Sequence, residues 1–206
     1  PYGELISIKD TFYTLIAVLE SLSMDFEEMD EYEILSNIEK INRLYNITNK
    51  NKDTNQVKYR TTEISANKYG DPDEFVKPEN IKDGLDNLCK MIKVLLNKKD
   101  EIDNQTYINE VLRIQYRFIK IHPFESGNGR TARAIVNILL QSKELIGIFR
   151  KEKRSDYLEY IEEANKIVKK SENKYLAALS GKTLECIEIE NEFLGVDNIP
   201  FLLVKG

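Results

Sequence analysis

The sequence predicts an all-α fold, a helical bundle carrying one small β-hairpin. Two observations lead there. Apolar residues recur at three- and four-residue spacing in segment after segment, which gathers them on one face of an α-helix. Only residues 56–77 break that pattern, with β-branched and aromatic residues on both sides of a glycine turn. The 206 residues fit one domain, and 41% hydrophobic content is enough for a core. It divides into N-terminal helices (1–45), the hairpin (56–77) and a helical core (78–190).

The first helix spans 5–22, with Ile8, Phe12, Leu15, Leu19 and Leu22 in register. An acidic stretch from Asp25 to Glu33 precedes a second helix near 31–45, striped by Ile34, Ile38, Ile41 and Leu44 or Tyr45. The Asn-rich segment 46–55 reads as a loop. In the hairpin, Val57, Tyr59, Thr61, Thr62 and Ile64 favour a strand. Asn67 to Gly70 turns, and Phe75 and Val76 return. Pro78 suits a first helical turn, ahead of Ile81, Leu85, Leu88, Met91 or Ile92, and Leu95. Asp103 or Asn104 can cap the next helix, whose buried face is Ile108, Val111 or Leu112, Gln115, and Phe118 or Ile119. Pro123 lacks an amide hydrogen and disfavours α geometry before it, so His122 is expected in extended geometry at a helix exit. A helix then runs to about Ser142, with Ile135, Ile138 and Leu139 inward. Ser155 is expected to cap another, through Tyr157, Leu158, Ile161 and Ala164. A last helix covers about 172–190, before an irregular tail with Pro200.

Composition excludes several classes. Thirty Lys and Arg stand against 35 Asp and Glu, a formal charge of −5, whereas nucleic-acid binding needs a basic face. No apolar run approaches a membrane span. Cys89 and Cys186 read as free, semi-buried thiols, not as a disulfide or zinc framework. No basic-then-apolar leader opens the residues. Pro1 in place of Met suggests a start inside a longer gene product, and the cytoplasm is the expected compartment. The Lys, Asn and Ile content resembles that of bacteria with AT-rich genomes, clostridia among them.

Chemistry concentrates around the single histidine, in the segment His122-Pro123-Phe124-Glu125-Ser126-Gly127-Asn128-Gly129-Arg130-Thr131-Ala132-Arg133. Gly127-Asn128-Gly129 falls at the start of a helix, where unpaired N–H groups and the helix dipole favour an anion. Arg130 and Arg133 lie one turn apart on one side of that helix and can each fork onto phosphate. An imidazole with an ordinary pKa near 6.5 can take a proton from a hydroxyl at neutral pH. Each element alone has an ordinary structural reading: a packed histidine, a turn, a solvated basic face. In this order within twelve residues they point together to a polyphosphate beside a base.

The segment resembles the signature of the Fic family, His-x-Phe-x-Asp/Glu-Gly-Asn-Gly-Arg-x-x-Arg. It agrees at every fixed position except the acidic one, where Ser126 stands. Tyr59 to Ile64 looks like the strand of the family's target-docking flap, putting Thr61, Thr62, Glu63 and Ile64 against a target. Phe75 to Pro78 looks like the segment after it. Tyr157 to Asn165 resembles the helix bordering the nucleotide base, with Tyr157, Tyr160 and Asn165 nearest in pattern to adenine contacts. The resemblance covers about two thirds of the chain.

The resemblance implies a protein adenylyltransferase. It would transfer AMP from ATP, with Mg²⁺, to a Ser, Thr or Tyr hydroxyl of a protein target, the chain itself included, and release pyrophosphate. His122 would deprotonate the hydroxyl and Phe124 would anchor the loop. Gly127, Asn128 and Gly129 would cradle the α- and β-phosphates, with Arg130 on the β- and Arg133 on the γ-phosphate. Ser126 would bind metal only weakly or indirectly, since hard Mg²⁺ prefers carboxylate and phosphate oxygens. The family's inhibitory pattern, Ser/Thr-x-x-x-Glu-Gly/Asn, is nearest met by Ser23 to Glu28, implying that Glu27 pairs with Arg133. Cys186 to Asn191 is a poorer match, lacking Ser or Thr. Two other readings stay open: a nucleotide-binding regulator weak in catalysis because of Ser126, and an AMP-removing member. Gly129 argues against the phosphorylating relatives, which carry Lys there. A homodimer is an open expectation.

Overall fold

Six helices and two short antiparallel ribbons make up the described residues of this computed structural model, which are 24–46, 58–66, 73–149, 154–170, 172–179, 190 and 202–205. The predicted helix 5–22, the turn Asn67 to Gly70, Ser23 and Cys186 lie outside them.

Helix α1 (Glu31–Asn46) opens on a reciprocal cap: the Glu33 amide donates to Asp30 Oδ1 at 2.8 Å and the Asp30 amide donates to Glu33 Oε2 at 2.9 Å. It buries Ile34, Ile38, Ile41 and Tyr45, the expected stripe, and adds Asn42. Ribbon strands β1 (Ser65–Ala66) and β2 (Asp73–Glu74) follow, then a 3₁₀ turn at Pro78–Asn80 and helix α2 (Ile81–Asn97). Helix α3 (Asn104–Ile121) starts where Asp103 Oδ1 accepts the Thr106 amide at 3.0 Å. Helix α4 (Asn128–Gln141) follows six residues later and strand β3 (Ile146–Phe149) after it. Helices α5 (Arg154–Lys169) and α6 (Glu172–Leu179) and strand β4 (Leu202–Lys205) complete the described chain.

Helix α3 packs against α2, α4 and α6, while α1 packs across α2 and α4. The expectation of a single buried face on α3 is therefore corrected. Tyr107, Ile114, Tyr116 and Ile121 are buried beside Val111, Leu112, Gln115 and Phe118, and so are Arg113, Arg117 and Lys120. Surrounded helices bury their polar positions too, and those positions then need partners. Arg113 and Arg117 find one in Glu190, which is fully buried. Its carboxylate accepts from Arg113 Nη1 and Arg117 Nε at 2.6 Å, from Arg117 Nη2 at 2.7 Å and from the Tyr175 hydroxyl at 2.8 Å.

Three further expectations change. Thr61 to Ile64 belongs to neither ribbon strand; β1 and β2 pair beyond it, Ser65 opposite Glu74 and Ala66 opposite Asp73. The tail is not wholly irregular, because Leu202–Lys205 pairs with Ile146–Phe149 in a second ribbon. Four residues are too few for alternation to show, and the partner strand is distant in sequence. Ser155 lies inside α5, which begins at Arg154, and is not its cap.

Glu190→Ala removes the carboxylate that two buried guanidiniums share, with Glu110 still 3.1 Å from Arg113 Nε. It should cost roughly 3–5 kcal/mol of stability, read as the urea midpoint at constant m. A loss below about 1 kcal/mol would show that water replaces the carboxylate freely.

Candidate active site

Helix α3 ends on a left-handed residue: His122 has φ 46 and ψ 57, and its amide still donates to the Phe118 carbonyl at 3.0 Å. The expectation of extended geometry is corrected. Pro123 excludes the right-handed α region at His122, and the left-handed turn closes the helix while sending the chain back sharply. Gly127, with φ 84, makes the matching left-handed turn at the entry to α4.

Between these turns Phe124 and Asn128 lock together. The Phe124 amide donates to Asn128 Oδ1 at 3.0 Å, and Asn128 Nδ2 donates back to the Phe124 carbonyl at 2.7 Å. The Asn128 side chain is thereby committed to the loop and leaves only main chain to face an anion. The Phe124 ring is buried, stacked on Tyr59 at 5.6 Å and tilted against Phe118 at 6.1 Å.

Residues of the predicted flap complete the loop. The Arg60 amide donates to the Pro123 carbonyl at 2.9 Å, and the Glu125 amide donates to the Lys58 carbonyl at 3.4 Å. The strand-like stretch before Thr61 thus pairs with the motif instead of with its own hairpin. Thr61, Thr62 and Glu63 are exposed and Ile64 is half-buried.

From the other side α1 holds the loop that enters α4. Asn42 Nδ2 and Asn46 Nδ2 donate to the Ser126 carbonyl at 2.9 and 3.2 Å. Arg130 Nη1 donates to the Tyr45 carbonyl at 2.8 Å, and the guanidinium lies over the Tyr45 ring. Burial, and less strongly Arg133, lower the pKa of Arg130, with Tyr45 opposing.

His122, Ser126, Gly127, Asn128, Gly129, Arg130 and Arg133 line one cavity of about 350 Å³. The imidazole is half-buried and meets the Phe75 ring edge-on at 4.8 Å. Burial first, then the Arg60 guanidinium, push its pKa down to about 4, with the Ile119 carbonyl opposing. The ring is therefore neutral at pH 7, further from its ordinary value than the sequence suggested. Burial raises the pKa of Tyr157 of α5, and the charge and hydrogen bond of Arg133 oppose it, so Tyr157 lies beside Arg133 without itself lining the cavity. Tyr160 and Asn165 are not among its lining residues, and Asn165 Oδ1 accepts from the Tyr116 hydroxyl at 2.8 Å.

One expectation fails on geometry. Glu27 pairs with Lys99 at 2.5 Å, and Lys99 also donates to the Ser142 carbonyl just beyond the C-terminus of α4. Arg133 lies near the N-terminus of that helix, so the expected Glu27–Arg133 contact is not made. Neighbouring lysines, Lys93 and Lys99, hold the acidic stretch in place. The lining also contains no carboxylate. Among the described residues no group of three or more His, Cys, Asp or Glu could hold a metal ion. Glu125 is exposed. These residues do not fit a Mg²⁺ held by side chains.

Sequence reasoning passed over Asn42, Asn46 and Arg60. The two asparagines stand four residues apart beside the apolar stripe of α1, a readable signal. A lone arginine in a strand-like stretch gives none.

Comparison with known proteins places the chain in context. A family model described as Fic/DOC family matches residues 29–140. The chain is 33% identical over 109 residues to protein adenylyltransferase Fic of Nematostella vectensis, covering 52% of this chain and 23% of that protein. It is 30% identical over 101 residues to the protein of the same name from Drosophila willistoni, covering 46% and 20%. The chain thus spans about a fifth of the length of these curated relatives. A solved Fic domain containing signaling protein from Bacteroides thetaiotaomicron superposes with a TM-score of 0.65 at 21% identity, covering 90% of this chain and 66% of that one. At that identity the likeness is one of fold.

A Cβ at residue 127 would sit 2.9 Å from Asn42 Nδ2 and 3.0 Å from Asn46 Nδ2, in a left-handed conformation. Gly127→Ala should therefore cost roughly 1–3 kcal/mol, read by thermal unfolding. An unchanged midpoint would mean the asparagines release the loop without loss.

Proposed function

We propose, from the premise that the chain belongs to the Fic/DOC family, that it transfers AMP from ATP to a hydroxyl of a protein target. The observation that carries this reading is a single cavity holding a neutral imidazole, a glycine-flanked helix N-terminus and two arginines. A general base must be unprotonated to act, and His122 meets that condition throughout the neutral range.

In the proposed reaction the target hydroxyl oxygen attacks the α-phosphorus. The bond from that phosphorus to the bridging oxygen breaks, the hydroxyl proton passes to His122, and pyrophosphate leaves. The main-chain N–H groups at the start of α4 receive phosphate oxygens. Arg130 and Arg133 neutralise charge growing on the leaving group, where fixed charges contribute most to rate. Arg130, held by the Tyr45 carbonyl, is oriented before substrate arrives. Tyr157, through Arg133, marks the side on which the adenine would lie. Thr61 to Ile64 offer the target an exposed edge. No step passes through a metal, because the lining supplies no carboxylate for one.

That same lack of a carboxylate supports a second reading, a nucleotide-binding regulator with little turnover. Incubation with α-labelled ATP and candidate target proteins separates the two. Label should pass to protein and fall by roughly 10²–10⁴ in His122→Ala. Transfer that His122→Ala leaves intact would sink the mechanism, and binding without transfer would select the regulator. Ser126→Asp adds the missing carboxylate, so transfer by that variant should depend more steeply on added Mg²⁺ than transfer by the natural chain. Identical Mg²⁺ curves would show that residue 126 faces no metal.

A further inference from the structure

Arg60 is buried to 4% exposure without a carboxylate hydrogen-bonded to it among the described residues. Its guanidinium is satisfied by main chain alone. Nε donates to the His122 carbonyl at 2.8 Å, Nη2 to the carbonyls of Ile121, at 3.2 Å, and Val76, and Nη1 to the Thr62 carbonyl at 3.0 Å. Two of these carbonyls end α3, where the helix dipole favours a cation. A buried cation is normally paired, because leaving its charge without a counter-ion is costly. Here helix-end and flap carbonyls take that place, with Glu63 and Glu79 favouring the charge from outside.

We infer that Arg60 is a positioning residue for His122: it fixes the histidine main chain in its left-handed turn and presents a buried positive charge to the ring. The inference rests on the reading of His122 as the base. The turn is a conformation that side chains other than glycine rarely adopt, and the Arg60 Nε bond holds its carbonyl. A planar fork bridges four carbonyls from three chain segments; an ammonium cannot match that geometry.

The other charges near the ring act more weakly or from further off. Lys120 of α3 lies over the far partner of the ring, Phe75, at 5.3 Å. Arg130 and Arg133 of α4 share the cavity, which no carboxylate lines. Arg60, on the flap, is the charged side chain that depresses the ring.

Because His122 is the only histidine in the chain, its ring can be titrated by NMR in the whole protein, with or without activity. In the natural chain it should titrate near 4. Arg60→Gln should move it up toward the ordinary 6.5, whereas Arg60→Lys, keeping the charge, should hold it low. In both variants kcat should fall roughly 10-fold or more with the KM for ATP little changed. The acid limb of the pH–rate profile should follow the titration. A natural ring titrating at 6.5 or above, or one that Arg60→Gln leaves unmoved, overturns the inference. If Arg60→Gln does not fold, Arg60→Lys decides through kcat, and a natural kcat in that variant overturns it. If the natural chain transfers no AMP, the proposed function fails, while the titration still judges Arg60.

Discussion

The connection from α3 to α4 is six residues long, and most of what surrounds it exists to hold it. A buried reversal this short leaves main-chain groups without partners unless something supplies them. The Asn128 side chain supplies both for Phe124, accepting from its amide and donating to its carbonyl. The Phe124 ring then fills the space beneath, against Tyr59 and Phe118. With the middle of the loop fixed, its two ends are fixed as well. His122 stands at the exit of one helix and Gly127 at the entry of the next, both left-handed, both facing one cavity. An asparagine that a motif reading assigns to the ligand is thus the residue that builds the ligand's container.

The charge distribution runs against what stability alone would choose. The protein carries a formal charge of −5, yet the charges around its cavity are cationic. Arg130 occupies the first turn of α4, where the helix dipole disfavours positive charge by about 0.3–1 kcal/mol, and Arg133 follows one turn later. Arg60 is buried among carbonyls and depresses the neighbouring imidazole. Arrangements that cost stability in the empty protein are expected where a ligand compensates them. A polyanion would relieve the unfavourable placement of Arg130. The neutral imidazole has a different first cause, its burial, to which the Arg60 charge adds.

How far the sequence reveals this depends on the range over which each feature is encoded. The stripe of α1 and the Asp103 cap are local signals and appear where expected, while α4 starts at Asn128, between the two glycines instead of after them. The motif likewise brings its cavity-lining members together from adjacent positions. Features that needed partners distant in sequence were not legible. Arg113 and Arg117 look like surface charges until Glu190, more than seventy residues on, is brought against them. The β3–β4 ribbon joins segments that local patterns cannot pair. At His122, proline's veto on α geometry permits two answers, extended or left-handed. Only the packing of the loop chooses between them. Glu27 was misplaced for a related reason: a motif fixes spacing along the chain, whereas Lys99 and Lys93 fix position in space.

Helix α1 finally explains why flap and anion loop are parts of one device. On successive turns it presents Glu39, Asn42, Tyr45 and Asn46. The Tyr59 hydroxyl of the flap donates to Glu39, and burial together with that carboxylate holds the phenol protonated. Asn42 and Asn46 take the Ser126 carbonyl, and the Tyr45 carbonyl takes Arg130. One rigid helix thereby supports the edge on which a target would lie and the loop on which phosphates would lie. Phe124, stacked on Tyr59, closes the same circuit from the opposite side. An in-line reaction between two separately bound partners depends on their relative placement, to which a shift of about an ångström matters. In the proposed reaction, mounting both supports on α1 would fix that placement before either partner binds.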